Sequence, residues 1–520
     1  MLLLDVKALA RLQTEFRQSM RMLLMDLCRD IGNHYSDLAE KFDLPVAYIR
    51  FIAPLFDHES YADWKVVGWI EALNDLVYFL DILQQIRRES DQRVFAGQLF
   101  AECEQKFFEN SYLDDLFPQG RQQAKGLATR LQWLCMKLAR EVTQESLFFD
   151  SRWAMQWRRR QGLTCWEVSG SLEQHFERAE RAFTLSIGIA GDEIVAPKSV
   201  ATSIGQATQR VVFEIGRQEI VLKKGRRFPV CSLLGANVEW HWSKRGAVEV
   251  RQRPNGPLTI GPTLQYGKDR QPKAVKQTNP KQVERIARSW NVIRQAWPEG
   301  HAVLELLTSR IVPLKANGVV SFSYRHRPGL SFINCFDRDN LDLIDDLIHE
   351  NSHHHLNLLL RKHIMYHGDR NQQIFYSPWR RSLRPIRGIL HAAFTFTMGA
   401  LLFERLSSWA DTKKGMKQWK ESGLTQRDLV RARFRCLEEI ESVRYSIQDL
   451  DYTGRHLKWL TGSGGRLVRQ LEEAIEKAER RIGRHRNIVL KSKFGPALRK
   501  HIKELKQARQ TYGPVRLSKA

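Results

Sequence analysis

The chain has 520 residues, of which 42% are hydrophobic and 27% are charged. This ordinary globular composition argues against long disordered stretches, and the length allows several domains. The formal net charge of +24 comes from 82 Lys and Arg residues against 58 Asp and Glu residues, so acidic partners such as nucleic acid or an acidic peptide are favoured over basic ones.

The seven cysteines are odd in number, widely spaced and without a CxxC pair. We therefore expect a reducing compartment and no disulfide framework or Cys-rich zinc site. The apolar N-terminal run has no preceding basic segment and is interrupted by Asp5 and Lys7, so it does not resemble a signal peptide. The uncharged run Gly388–Phe403 is too short to cross a bilayer and predicts a buried core helix. We expect a soluble cytoplasmic protein.

Residues 1–180 are predicted to be helical, because apolar residues recur at helical spacing over Trp69–Ile86 and Leu127–Val142. Residues 181–270 are predicted to be rich in β-strands, with short β-branched runs in QRVVFEIG, QEIVLKKG, VEWHWSK and GAVEVRQ. Trp240 and Trp242 alternate with His241 there. Core packing between strands is a better account of them than base stacking.

Residues 271–410 combine helices with a strand pair. A helix is predicted over Asn279–Trp297, with Asn279 as its N-cap and a proline in its first turn. The runs GVVSFSYRH and LSFINCFD are predicted strands joined by a turn at Arg327-Pro328-Gly329. Residues 411–520 are predicted to be charged and helical. The predicted fold class is α+β, with a helical N-terminal region, a β-rich middle and a mostly helical region that carries the site described next.

The stretch LIHENSHHHLNLLL contains an HExxH motif at His349, Glu350 and His353. Positions i and i+4 of a helix lie on one face, so His349 and His353 can direct two imidazoles at one metal ion. The flanking leucines and isoleucines support a helix, and Asp339 is its expected N-cap. Two histidines make a weak site, and a third protein ligand is expected beside open positions for water or substrate.

Two residues of the next predicted helix, Pro385–Ala410, are candidates for the third ligand. His391 stands alone among apolar residues, and Glu404 would correspond to the downstream glutamate of zinc peptidases. His354 and His355 point elsewhere on the helix, and we expect them to be surface or supporting groups rather than ligands.

The segment between the two helices, YSPWRRSLRPIRG, carries Arg380, Arg381, Arg384 and Arg387. A guanidinium binds a carboxylate through two parallel hydrogen bonds, so arginines near a metal helix suggest an anionic co-substrate or a peptide carboxylate. The alternative is a basic loop that binds helix ends.

The run from GLSFINCFDRDN through the HExxH helix to SPWRRSLRPIRGILHAAF resembles the bacterial HExxH-motif family encoded beside peptide natural-product precursors. Members are iron(II)- and 2-oxoglutarate-dependent peptide β-hydroxylases. The resemblance covers about Gly318 to Leu406. The loop departs from the family's WR-x-DPRP pattern, because the chain has Ser382-Leu383 where the family has Asp-Pro.

This resemblance implies a zincin-like metal-binding region with His349, His353 and His391 as iron ligands. It also implies Arg380, Arg384 and Arg387 as candidates to bind 2-oxoglutarate, and Glu350 as a group that orients a ligand or the peptide. The implied partner is a peptide substrate, for which the basic surface suits an acidic leader. The competing interpretation is a zinc metallopeptidase in which Glu350 is the general base and Glu404 becomes more attractive as a ligand. A nucleic-acid-binding protein with a degenerate metal site is a minor alternative suggested by the charge, Trp240 and Trp242.

Overall fold

The computed structural model describes residues 3–41, 58–88, 278–367 and 372–513, residues 46, 53, 261 and 263, and the strands between residues 182 and 274. The chain forms two compact units. The first contains residues 1–16, 248–263 and 278–520, and the second contains residues 17–247 and 264–277. The predicted boundaries at residues 180, 270 and 410 stay predictions.

The N-terminal helices are α1 (Val6–His34), α2 (Ser36–Lys41) and α3 (Trp64–Arg88). The second unit contains α2, α3 and the part of α1 from residue 17 onwards. The predicted helix over Trp69–Ile86 is confirmed as part of α3. The predicted helix over Leu127–Val142 lies outside the described residues, as do Trp240 and Trp242.

Five short strands of the second unit form one antiparallel sheet in the order β2-β1-β3-β4-β5. They are β1 (Ala182–Ala190), β2 (Glu193–Val195), β3 (Thr208–Glu214), β4 (Glu219–Leu222) and β5 (Arg227–Pro229). The strands β8 (Leu264–Tyr266) and β9 (Pro272–Ala274) also pair in antiparallel fashion. The predicted β-rich middle is therefore present, and β3 and β4 coincide with two of the predicted strands.

The first unit contains a mixed sheet in the order β11-β12-β10-β7-β6. Its strands are β6 (Val248–Arg253), β7 (Gly256–Ile260), β10 (Arg310–Lys315), β11 (Phe322–Ser323) and β12 (Leu330–Asn334). Strand β10 runs parallel to both β7 and β12, and all five residues of β12 are buried. The turn before β12 ends at Gly329, whose φ of 82° is a left-handed conformation that glycine adopts without strain.

Most of the other described residues of the first unit are helical. The further helices are α4 (Pro280–Ala296), α5 (Pro298–Leu307), α6 (Asn340–Lys362), α7 (Ile386–Ala410), α8 (Lys413–Glu421), α9 (Gln426–Tyr452), α10 (Gly462–Ile482), α11 (Arg486–Lys491) and α12 (Gly495–Tyr512). The short strands β13 (Phe375–Ser377) and β14 (Ser382–Arg384) form a hairpin between α6 and α7. Asn279 caps α4 through its side chain, as predicted.

Helix α7 is the central helix of this unit and packs against α6, α9 and α10. It is long and apolar enough to cross a membrane by length and composition, but 67% of its most apolar stretch is buried within the protein. That burial is what the sequence predicted for a core helix. Taken together, the described residues are mostly helical with a small mixed sheet, which agrees with the predicted α+β class.

Candidate metal centre

The HExxH motif lies in the middle of α6, as predicted. Asp339 caps the helix by accepting from the Asp342 backbone N–H at 3.0 Å, and the Asp342 carboxylate accepts in return from the Asp339 N–H at 3.3 Å. One face of the helix directs both histidines the same way, because His349 and His353 are one turn apart. Their ring centroids are 5.0 Å apart.

Glu350 completes a compact group with this histidine pair. One potential ligand atom from each of His349, Glu350 and His353 lies within 4.8 Å of the other two, and this is the group among the described residues that fits a metal ion. Glu350 is buried, and its Oε2 atom has no hydrogen-bond partner. Burial raises the pKa of Glu350 to about 8, although the Ser323 hydroxyl acts in the opposite direction. A buried carboxylate oxygen without a partner is an atom that a cation or a proton would stabilise.

His391 approaches the same group from α7. Its imidazole is 6.0 Å from that of His353, measured between ring centroids, with 29° between the ring planes. Burial lowers the pKa of His349 to about 4, and those of His353 and His391 to about 3. All three imidazoles are therefore neutral at neutral pH, which is the form that binds a metal.

Glu404 lies away from the group formed by His349, Glu350 and His353. It lies 13 positions after His391 on α7, which is about 20 Å of helix at 1.5 Å per residue. Its buried carboxylate accepts from the Ser408 hydroxyl at 2.8 Å and from Arg481 at 3.4 Å. The structure thus brings His391, and not Glu404, to the HExxH histidines.

The two neighbouring histidines are buried, so the expectation that they could be surface groups was wrong. His354 shares a 3.1 Å hydrogen bond with the Ser331 hydroxyl of β12, and His355 makes an edge-to-face contact with Phe394, with 5.0 Å between centroids. They occupy the sides of α6 that face the sheet and α7, because nearly all sides of this helix are covered. Their contacts support the helix, which is the other role expected for them.

The β13–β14 hairpin stands beside the metal-binding face. Arg381 closes its turn with a φ of 51°, which is uncommon for a residue with a side chain. Within the turn, Trp379 stacks on Phe396 of α7, with centroids 4.2 Å apart and 7° between planes. Phe396 in turn makes an edge-to-face contact with His349, with 5.1 Å between ring centroids. The hairpin is therefore joined to the histidine group by an aromatic contact.

The arginines of this segment are exposed, and two of them influence the histidines. Burial and the charge of Arg435 are the larger causes of the lowered pKa of His349, and the charge of Arg380 lowers it further. Burial and the interaction with His353 are the larger causes of the lowered pKa of His391, and the charge of Arg387 lowers it further. Arg384 lies along the first turn of α7, with its Nε atom 3.5 Å from the position that a Cβ on Gly388 would take.

Several residues near the site were not identified from the sequence. They are Arg325, whose charge also lowers the pKa of His391, Ser323, Phe396, Arg435 and Glu439. Phe396 lies five residues after His391, and its position on α7 was the available signal. Arg435 and Glu439 come from a helix far along the chain, and no local pattern connects them to the motif.

The residues present fit a divalent metal: the neutral imidazoles of His349 and His353 and a carboxylate with an unpartnered oxygen form one compact group, and the neutral imidazole of His391 faces His353. The same nitrogen and oxygen donors suit iron(II) and zinc alike. The chain matches no protein-family model and no curated protein.

Proposed function

We propose that this protein is an iron(II)- and 2-oxoglutarate-dependent enzyme that hydroxylates the Cβ position of a peptide during maturation of a peptide natural product. The observation that carries the proposal is a group of neutral histidines from α6 and α7, His349, His353 and His391, bordered by exposed guanidinium groups. Three protein ligands leave open positions for a bidentate co-substrate, and the guanidinium groups suit its second carboxylate.

The proposed reaction converts peptide C–H, O2 and 2-oxoglutarate into peptide C–OH, succinate and CO2. Iron(II) supplies the redox chemistry that this reaction needs. The protein binds the metal, the co-substrate and the peptide and orients them relative to one another. His349 and His353 are held by one rigid helix, and His391 joins them from the next.

Arg380 and Arg387 are the preferred partners for the distal carboxylate, since both lower the pKa of a proposed ligand histidine by their charge. Arg384 is the less favoured of the three candidates, because its side chain follows the first turn of α7. Trp379 and Phe396 form an apolar wall next to His349, which limits water on that side of the site. The buried Glu350 holds a proton near neutral pH, so it can donate a hydrogen bond to the peptide or to a metal-bound ligand.

A zinc metallopeptidase with a zincin-like region is the second candidate, and the placement of Glu350 favours it. The carboxylate lies within 4.8 Å of both potential histidine ligand atoms and has an unpartnered oxygen, so it is placed to act as general base on a metal-bound water once it has lost the proton that burial favours. In this candidate the arginines would bind a carboxylate of the peptide itself.

The two candidates differ in the group that binds the metal beside the protein ligands: 2-oxoglutarate in the oxygenase and water in the peptidase. The test is an anaerobic absorption spectrum of the purified chain loaded with iron(II), before and after addition of 2-oxoglutarate, with His353→Ala beside it. The oxygenase proposal expects a visible charge-transfer band that needs both additions and disappears in the variant. If no band forms while the protein retains zinc stoichiometrically and cleaves peptides, with cleavage lost in Glu350→Gln, the oxygenase proposal is wrong and the peptidase replaces it.

A further inference from the structure

A chain of polar contacts joins the hairpin to the metal-binding helix through α9. The indole N–H of Trp379 donates to Oε2 of Glu439 at 2.8 Å. The other oxygen of Glu439 accepts from Nη2 of Arg435 at 3.0 Å, and the same nitrogen reaches Oδ2 of Asp345 at 3.4 Å. Asp345 lies one turn before His349 on α6. The contacts therefore start at the hairpin and end on the helix that carries the HExxH motif.

An aromatic contact closes this chain into a ring. Trp379 stacks on Phe396 with 4.2 Å between centroids, and Phe396 makes an edge-to-face contact with His349 with 5.1 Å between centroids. We call the five residues Asp345, Arg435, Glu439, Trp379 and Phe396 the tryptophan clamp. None of them is a proposed metal ligand or one of the arginines proposed to bind the co-substrate.

The clamp fixes the residue that precedes Arg380. The Glu439 side chain is only 3% exposed, and a buried carboxylate needs hydrogen-bond donors, so its bonds to Trp379 and Arg435 resist rearrangement. Arg380 itself is exposed and would lose rotamer freedom on binding an anion. Holding its backbone in place beforehand avoids the additional cost of ordering the turn on binding, and so strengthens binding.

We propose that Trp379 and Glu439 are positioning residues that hold Arg380 beside the metal site so that it binds the distal carboxylate of a keto-acid co-substrate. The inference rests on the proposed function, since it needs a co-substrate with two carboxylates. It predicts that the clamp contributes to affinity for the second carboxylate and not to affinity for the metal.

The experiment measures anaerobic binding of two keto acids to the full-length, iron(II)-loaded protein by calorimetry. The ligands are 2-oxoglutarate and pyruvate, which shares the chelating keto-acid group but lacks the distal carboxylate. The variants are Trp379→Phe, which keeps the aromatic ring on Phe396 but removes the N–H donor, and Glu439→Leu. Glu439→Gln is the conservative variant, because its amide oxygen still accepts from the indole.

Trp419→Phe is the matched control. Trp419 is fully buried and its indole N–H donates to the Thr425 carbonyl oxygen at 3.0 Å, so the change removes a similar bond in another part of the same unit. We expect Trp379→Phe and Glu439→Leu to weaken 2-oxoglutarate binding about tenfold, as expected for a lost charge-assisted contact. Pyruvate binding and the iron content should stay at the wild-type values, Glu439→Gln should recover most of the affinity, and Trp419→Phe should match the wild type.

Three results would overturn the inference. If wild-type protein binds 2-oxoglutarate and the clamp variants bind it equally well, Trp379 and Glu439 do not position Arg380. If the variants lose pyruvate and 2-oxoglutarate in the same proportion, the clamp maintains the metal site as a whole. If wild-type protein binds iron but neither keto acid, the proposed function fails and the positioning role fails with it.

Discussion

His353 and His391 face each other from two successive helices, with their imidazole centroids 6.0 Å apart and 29° between the ring planes. The motif on α6 supplies one of these rings, and a residue of the core helix α7 supplies the other. A metal bound between them would link the two helices, so its binding energy would add to the stability of the folded state.

This arrangement predicts that His391 contributes to metal affinity and that Glu404 does not. We expect His391→Ala to weaken binding of zinc or iron(II) by at least about tenfold, because one of three protein ligands is removed. Glu404→Gln should leave metal affinity unchanged and lower the free energy of unfolding by about 1 kcal/mol or less, because the half-exposed Arg481 loses a charged partner but stays hydrated. Competition with a chromophoric chelator and denaturant unfolding provide the two measurements. The opposite pattern, with affinity lost only in Glu404→Gln, would contradict the assignment of the third ligand.

A second prediction concerns the two adjacent arginines of the hairpin turn. Arg380→Asn should weaken anaerobic binding of 2-oxoglutarate roughly tenfold or more, because a guanidinium–carboxylate contact is lost. Arg381→Asn is the control, since Arg381 pairs with Glu504 at 3.2 Å and asparagine tolerates the positive φ at this position. Calorimetric titration of both variants gives the comparison. Equal losses of affinity would mean that the hairpin acts only through its overall positive charge.

A third prediction concerns pH-dependent stability and Asp346 on α6. Burial raises the pKa of this carboxyl to about 7, against the lowering effect of a 2.6 Å hydrogen bond from Ser321. The folded state therefore binds this proton more tightly than the unfolded state. The group's contribution to stability is fully present below about pH 4 and is lost as the pH rises towards 7.

The variant Asp346→Asn removes this titration and retains an acceptor for Ser321. Between pH 4 and 7, the free energy of unfolding of the wild type should fall relative to that of the variant, by at most ~4 kcal/mol. Urea unfolding of both proteins across this range measures the difference. A wild type that gains stability relative to the variant as the pH rises would show that Asp346 is held ionised by its contact with Arg338.

The sequence predicted those features that depend on local patterns. The caps at Asn279 and Asp339, the strand β12, the helix α6 and the core helix α7 each follow from periodicity or from a capping residue within a few positions. The pairing of His349 with His353 follows in the same way, because both belong to one helical face.

Features that depend on packing between distant segments could not be predicted from the sequence. The burial of His354 and His355 follows from the sheet and α7 covering α6 on several sides, whereas a helical pattern alone indicates one buried face. Spacing along the chain left His391 and Glu404 both open as the third ligand, and His391 was preferred only through the family resemblance; in the structure His391 lies on the turn of α7 that faces His353. The contact between Trp379 and Glu439 joins positions 60 residues apart and has no signature in either local segment.

The most direct test of the central claim is the metal stoichiometry of the purified chain, measured by mass spectrometry after loading with zinc or iron(II) and removal of excess metal. The wild type, His353→Ala and His363→Ala should be compared, since His363 lies at the C-cap of the same helix and outside the histidine group. We predict about one metal ion per chain in the wild type and in His363→Ala, and little in His353→Ala. Equal metal content in all three proteins, or none in the folded wild type, would contradict the metal centre on which the proposed function depends.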